Sequence, residues 1–218
     1  GPRIENYYMI ETPTRYKPVL KAFKLGGYGS LMGASTGAGA GVQWRQNVER
    51  GEAAFNAAVN FVNADGASST QGILGDNTSS ALLTQLGYGT RQWWIGAHYA
   101  RKGMENGGVI AGQSSDGTFG NSQNVYGVRG FYVPGTEASS AWPTISAGVD
   151  FGSAKGVTAG DTTSTFGYMV GLNWDDVLVD GNKAGLAFGS IGSYVTDTQG
   201  TAAVDSDNNA LELWYQYQ

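Results

Sequence analysis

Cysteine is absent from the 218 residues. That removes a disulfide framework, a thiolate zinc site and a cysteine nucleophile from consideration. Charge is scarce: Asp, Glu, Lys and Arg supply 14% of the chain, against roughly 25% in an average soluble domain. Proline is limited to 5 residues and histidine to one. Nowhere does the sequence hold the ~18 consecutive apolar residues of a membrane-spanning helix, so a helical membrane protein is excluded. A membrane β-barrel is not, because its strands give a much weaker hydropathy signal. What is abundant is glycine, 35 of 218 residues, roughly twice the ordinary share of ~7%. Without a G-X-Y period this is not collagen. Aromatics at 12% beside so little charge suit a chain that meets something other than water on one side.

The net charge of −5 hides an asymmetry: residues 1–50 carry +4 and the remainder −9. An acidic remainder argues against nucleic acid as partner. There is no initiator Met or signal peptide at Gly1, and the sequence reads as an interior segment of something longer.

Alternation of apolar and polar residues dominates from about residue 40. Phe55, Ala57, Val59 and Phe61 share one parity, with Asn56 and Asn60 on the other. The same holds for Trp93, Ile95, Ala97 and Tyr99 opposite His98, and for Tyr126, Val128 and Tyr132 opposite Arg129. Ile145, Ala147, Val149 and Phe151 oppose Asp150; Phe166, Tyr168, Val170, Leu172 and Trp174 oppose Asp175. Leu211, Leu213, Tyr215 and Tyr217 close the series. Period two with one apolar face predicts strands between two different environments. With Val42–Gln46, Ala81–Tyr88 and Lys183–Tyr194 added, about nine strands are expected, near the ~10-residue length of membrane-barrel strands. A bulge is expected near Ser190–Ile191, where the Lys183–Tyr194 alternation loses its register.

Connections alternate in length. Asn47–Arg50, Gly87–Thr90, Pro134–Trp142 and Asp176–Gly181 are the short set; Asn63–Ser80, Lys102–Ser122, Ser153–Thr163 and Thr196–Asn208 are the long set. An up-and-down barrel with periplasmic turns and external loops does this; a soluble sandwich has no such reason. The long connections hold acid: Asp65, Asp76, Asp116, Asp161, Asp197, Asp205 and Asp207, with Glu137 on a shorter one. Trp44, Tyr88, Trp93, Tyr132, Trp142, Trp174 and Tyr217 fall near strand ends, where headgroup-level aromatic girdles sit. The expected fold is therefore all-β, an antiparallel up-and-down transmembrane barrel over residues 37–218.

Residues 1–36 break the pattern and form a separate constriction segment. Lys17–Leu25 predicts a short helix, with Pro18 at its first position and Gly26 past its end. Lys17, Lys21 and Lys24 share one face, away from Val19, Leu20 and Phe23. Two turns cannot stand alone: either the apolar side docks inside the wall and aims the lysines across the lumen, or the lysines form a solvated face on an outside loop.

The run GPRIENYYMIETPTRYKP, followed by GASTGAGAGVQW, resembles cyanobacterial outer-membrane porins of the carbohydrate-porin family, some of them iron-uptake porins. In such proteins a strand end is followed by a non-strand segment, and the barrel resumes at a strand like Gly37–Trp44. The resemblance implies a location in the bacterial outer membrane among lipid and lipopolysaccharide, a barrel of about sixteen strands, a homotrimer, and a peptidoglycan-binding domain outside this chain.

Chemical motifs are weak. His98 is the only histidine and has no Ser or carboxylate at a motif spacing, so a barrel hydrolase is the minor alternative. Asp205-Ser-Asp207-Asn208-Asn209 is not a calcium loop, since Ala210 stands where Gly is needed and Gln216 where Glu is needed. Gly37–Gly41 is not a nucleotide loop, because strand rather than helix follows. No metal or cofactor is expected, and no catalysis. The expected function is a water-filled channel for passive diffusion of small hydrophilic solutes and inorganic ions. Its expected lining is Arg3, Arg15, Lys17, Lys21, Lys24, Arg45, Arg129 and His98, opposed by Glu5, Glu11, Asp150 and Asp175. The lysines would give a modest anion preference. The other class is a structural or adhesive barrel whose loops serve as receptor for phage or neighbouring cells.

Overall fold

The structure, a computed structural model, describes residue 16 and residues 38–63, 80–103, 122–135, 141–155, 162–190, 194–198, 200 and 209–218. The protein is all-β over these residues, and none of their segments is a helix. Strands β1 (Ala38–Arg45), β2 (Ala54–Asn63), β3 (Ser80–Gly89), β4 (Trp93–Gly103) and β5 (Ser122–Tyr132) are followed by β6 (Thr144–Lys155) and β7 (Thr162–Asp175). β8 (Lys183–Ser190), β9 (Tyr194–Thr198) and β10 (Asn209–Gln216) complete the sheet. Every neighbour is antiparallel, in the order β1-β2-β3-β4-β5-β6-β7-β8-β10, with β9 beside β7. This is a meander in which sequence neighbours are spatial neighbours, as period-two runs joined by reversals dictate. The described residues leave the outer edge of β1 and that of β10 without a strand partner.

Lys183–Tyr194 is divided between two segments. β8 pairs with β7 in one register, Met169 opposite Gly189, and β9 continues beside β7 two positions out of step, Phe166 opposite Tyr194. At the slip, the Ser190 side chain replaces a ladder partner: Tyr168 N donates to Ser190 Oγ at 3.0 Å and Ser190 Oγ donates to Tyr168 O at 3.3 Å. A hydroxyl can do both, which is why the irregularity settles there. Asp197, assigned to a loop from sequence, is a β9 residue opposite Ser164.

The alternation of connection length holds around β1–β5 and then fails. Between the strands the chain runs through residues 46–53, 90–92, 133–143 and 176–182 and, alternating with them, through 64–79, 104–121, 156–161 and 199–208. The connection over 133–143 is longer than that over 156–161. The cause is strand pairing that outlasts the apolar pattern: Ser153 pairs with Ser164 and Ser122 with Lys155. Backbone hydrogen bonds need no apolar side chain, so polar ends extend β6 and β7 beyond the hydrophobic reading.

Candidate functional site

The sheet has two unlike faces. On one parity, large apolar side chains stand exposed: Leu213 78%, Val42 74%, Leu86 66%, with Phe55, Val59, Ile95, Tyr126 and Val128 also open. On the other parity, polar side chains are buried: Asp150 0%, Arg129 2%, Gln85 2%, with Asn56, Asn60, His98 and Ser146 also closed off. A water-soluble sheet does the reverse. The expected facing of Phe55, Val59, Ile95, Tyr126 and Leu213 against His98, Arg129 and Asp150 is what the structure has; Val149 and Tyr168 lie half-buried on the apolar parity.

The inner, polar face is built in rows set by register. One row runs Ala58, Gln85, His98, Gly127, Asp150, Gly167 across β2–β7. The next runs Asn56, Gly87, Gly96, Arg129, Gly148, Met169. Arg129 and Asp150 thus sit diagonally on adjacent strands, within reach of one another for long side chains. Glycine makes this packing possible. The Trp94 indole covers Gly87 and Gly96, where a Cβ would fall among its ring atoms. Arg129 lies along Gly148, where a Cβ would meet its Cγ at 2.6 Å. One row from Gln85 and His98 toward the start of β3, Leu83, Ala100 and Val125 lie on the polar parity and are buried.

A third row, Trp94, Phe131, Ser146, Gly171, Ala187, Glu212, crosses β4–β10. Tyr16 lies across it. Its ring rests on Gly171, where a Cβ would meet Tyr16 Cγ at 2.5 Å, and packs against Met169 and Ala187. Its backbone N donates to Ser146 Oγ at 3.1 Å. Its hydroxyl donates to Glu212 Oε1 at 2.6 Å and accepts from Trp214 Nε1 at 3.1 Å. Burial first, and the Glu212 acceptor second, raise the Tyr16 pKa, so the phenol keeps its proton. Sequence reading passed over Tyr16: nothing local marks a tyrosine whose partners lie 130–198 positions away.

Among the other expected lining residues, Arg45 ends β1 on the inner parity, opposite Asn56, and is exposed. Asp175 is exposed at the end of β7 and pairs with Lys183 Nζ at 2.7 Å. Arg3, Glu5, Glu11, Arg15, Lys17, Lys21 and Lys24, and the expected helix over 17–25, lie outside the described residues. His98, Arg129 and Asp150 face inward as expected but are buried rather than open to solvent.

The aromatics expected at strand ends all fall at one end of the sheet, that of residues 90–92. Trp44, Tyr88, Trp93, Tyr132, Trp142 and Tyr217 are exposed there and Trp174 is half-buried. Phe55 packs on Tyr88 at 4.4 Å between centroids, and Tyr88 on Trp93 at 5.6 Å. A second row, missed in the sequence because it crosses strands, consists of Tyr99, Tyr126, Phe151 and Phe166. Its rings touch at 5.1 Å for Tyr99–Tyr126 and for Phe151–Phe166. The Tyr99 hydroxyl donates to Asn124 Oδ1 at 2.9 Å, giving the ring an apolar body and a polar tip. Along the strands the two rows stand six to eight residues apart, roughly 20–27 Å.

Among the described residues no helix is long and apolar enough to cross a membrane, and no cluster of three or more His, Asp or Glu side chains could hold a metal ion. Comparison with protein-family models, characterised proteins and solved structures returns no match.

Proposed function

We propose that this chain is part of the wall of an outer-membrane β-barrel that passes small hydrophilic solutes and inorganic ions by diffusion. One observation carries the reading: the exposed face is apolar while the buried face holds Gln85, His98, Arg129 and Asp150. Leaving Leu213, Val42 and Leu86 in water would forgo roughly 1.5–3 kcal/mol apiece relative to burial. Lipid removes that penalty and rewards the same pattern. Two aromatic rows bracketing an apolar band support the lipid contact. Further strands on the open edges of β1 and β10 would close the wall, since an open edge is not tolerated in hydrocarbon. The residues that resemble carbohydrate porins favour the outer membrane, a trimer and an attachment to peptidoglycan.

The full-length protein reconstituted in a planar bilayer should give discrete ohmic current steps in simple salt. Insertion without current would defeat the channel. That outcome would favour a second reading, a barrel with a structural or receptor role, which the burial of Leu83, Ala100 and Val125 on the polar parity supports.

A further inference from the structure

The apolar face of the sheet is not smooth. It holds two troughs, of about 720 and 580 Å³, inside the ~300–1,000 Å³ range of ligand sites. Register makes them. In the first, Ala57 and Ala97 stand on either side of Leu86 in one row, and Phe55 and Tyr88 border that row. In the second, Gly130 and Ala147 follow Ile95 in one row and form the floor, bordered by Tyr132 and Val149. That floor cannot be filled from below: a Cβ at Gly130 would meet Trp94 O at 2.5 Å. Ile95 and Val128 line both troughs. They are the wall the two share, and both stand about half-exposed.

The turn that leads into β4 is well fixed. Thr90 N donates to Trp93 O at 2.7 Å, and Thr90 Oγ1 accepts from Gln92 N at 3.1 Å and from Trp93 N at 3.3 Å. Val133 N donates to Gln92 O at 2.7 Å, so the turn is also tied to the chain leaving β5. Arg91 is exposed on this turn, two residues beyond Trp93. Neither residues 90–92 nor residues 133–135 contain an acid. The acids of the other described turns, Glu49, Glu52, Asp176 and Asp180, belong to 46–53 and 176–182.

We propose that the two troughs and Arg91 together bind one phospholipid with an anionic headgroup, one acyl chain in each trough astride Ile95 and the phosphate at Arg91. The inference rests on the lipid-facing part of the proposed function and is independent of conduction. On a flat face an acyl chain touches protein on one side only; over a floor of Ala57, Ala97, Gly130 and Ala147 it gains dispersion contacts from the walls as well. A guanidinium offers the planar fork that a phosphate accepts, and the exposed rings of Tyr88, Trp93 and Tyr132 suit headgroup level.

The test sets phosphatidylglycerol against phosphatidylcholine of identical chains, with the full-length protein. Flotation with vesicles reads insertion first, and native mass spectrometry of the extracted protein then counts retained lipid. Wild type should retain phosphatidylglycerol in preference by roughly 5-fold, the contribution of one arginine near a headgroup. Arg91→Gln should bring the two lipids level. Arg101→Gln, the same change of charge at the other end of β4, should leave the preference intact. Ala97→Phe with Ala147→Phe, which fills both troughs from exposed positions, should lower retention of both lipids severalfold. Equal retention by wild type, a preference that survives Arg91→Gln or disappears with Arg101→Gln, or full retention by the double phenylalanine variant would overturn the proposal. A lipid-free oligomer in the same spectrum would assign the troughs to a second copy and overturn it too. Full-length protein that does not float with vesicles defeats the lipid-facing reading itself, and this site with it; floating without a preference defeats the site alone.

Discussion

At the scale of single residues, Tyr16 joins β6 to β10 by three hydrogen bonds, with Ser146, Glu212 and Trp214. Its hydroxyl meets a carboxylate, and hydrogen bonds to charged groups contribute about 1.5–3 kcal/mol each. Tyr16→Phe should therefore lower stability by about that amount at neutral pH. The ordinary tyrosine value is 10.0, and burial together with the Glu212 bond moves the folded value above it. A raised folded pKa means that the folded state holds the proton more tightly than the unfolded one. The contribution is then complete below about pH 10 and is lost as pH climbs through the raised value. The difference in melting temperature between wild type and Tyr16→Phe, followed from about pH 8 to about pH 12, should stay flat and then shrink. A gap that keeps its size to the top of that range would mean that the phenol does not contribute as the geometry says.

Among the elements, β3 and β4 are joined as much by absence of side chain as by presence. Trp94 is 3% exposed because Gly87 and Gly96 leave room for its indole against the backbone. Gly96→Ala puts a methyl group inside that ring, and overpacking of this kind costs about 1–3 kcal/mol. In a Trp94→Ala background the same substitution should be close to neutral, so the two changes should not add. Urea melts of the four proteins measure the coupling, and simple additivity would show that the ring is seated elsewhere. The same trade explains the glycine content that stood out in the sequence. Gly148 under Arg129, Gly171 under Tyr16 and Gly185 under Trp214 are places where a large side chain lies flat on the sheet. The turn over residues 176–182 follows a different rule. Gly181 there has φ +90° and its N donates to Asp176 Oδ1 at 2.8 Å, closing the reversal between β7 and β8.

For the whole molecule, the sidedness of the sheet separates membrane from water by one substitution. Val128 lies in the middle of β5, on the apolar parity, and is 47% exposed. In water, Val128→Arg at such a site should change stability by no more than ~0.5 kcal/mol. At the midplane of a bilayer, the same arginine should cost about 2–4 kcal/mol. Folding of the full-length protein into lipid vesicles, titrated with urea, should show the larger penalty. A neutral Val128→Arg would turn the apolar face toward something other than lipid. The salt link between Lys183 and Asp175, both partly exposed, enters neither side of this balance, since such pairs contribute ~0–1 kcal/mol.

The positions of β1–β8 and β10, the polar and apolar parity of the strands, and the irregularity at Ser190 were legible in the amino-acid order; β9 was not, since Thr196–Thr198 reads as loop. These follow from the two-residue period of an extended chain, which is a local property. The ends of β6 and β7 were not, because pairing carried on through Ser153, Lys155 and Ser164, residues with no apolar signal. The second aromatic row was hidden for another reason: Tyr99, Tyr126, Phe151 and Phe166 become neighbours only when register aligns four strands. Lysines drew attention in the first 36 residues because charge periodicity is visible in a string. Tyr16 did not, because its socket is assembled from β6, β7, β8 and β10, and no spacing in the sequence encodes a meeting between residues 16 and 212. Local periodicity determined which face of each strand is polar; tertiary packing alone decided which row of that face Tyr16 occupies, since only the aligned register puts Ser146, Gly171, Ala187 and Glu212 side by side beneath it.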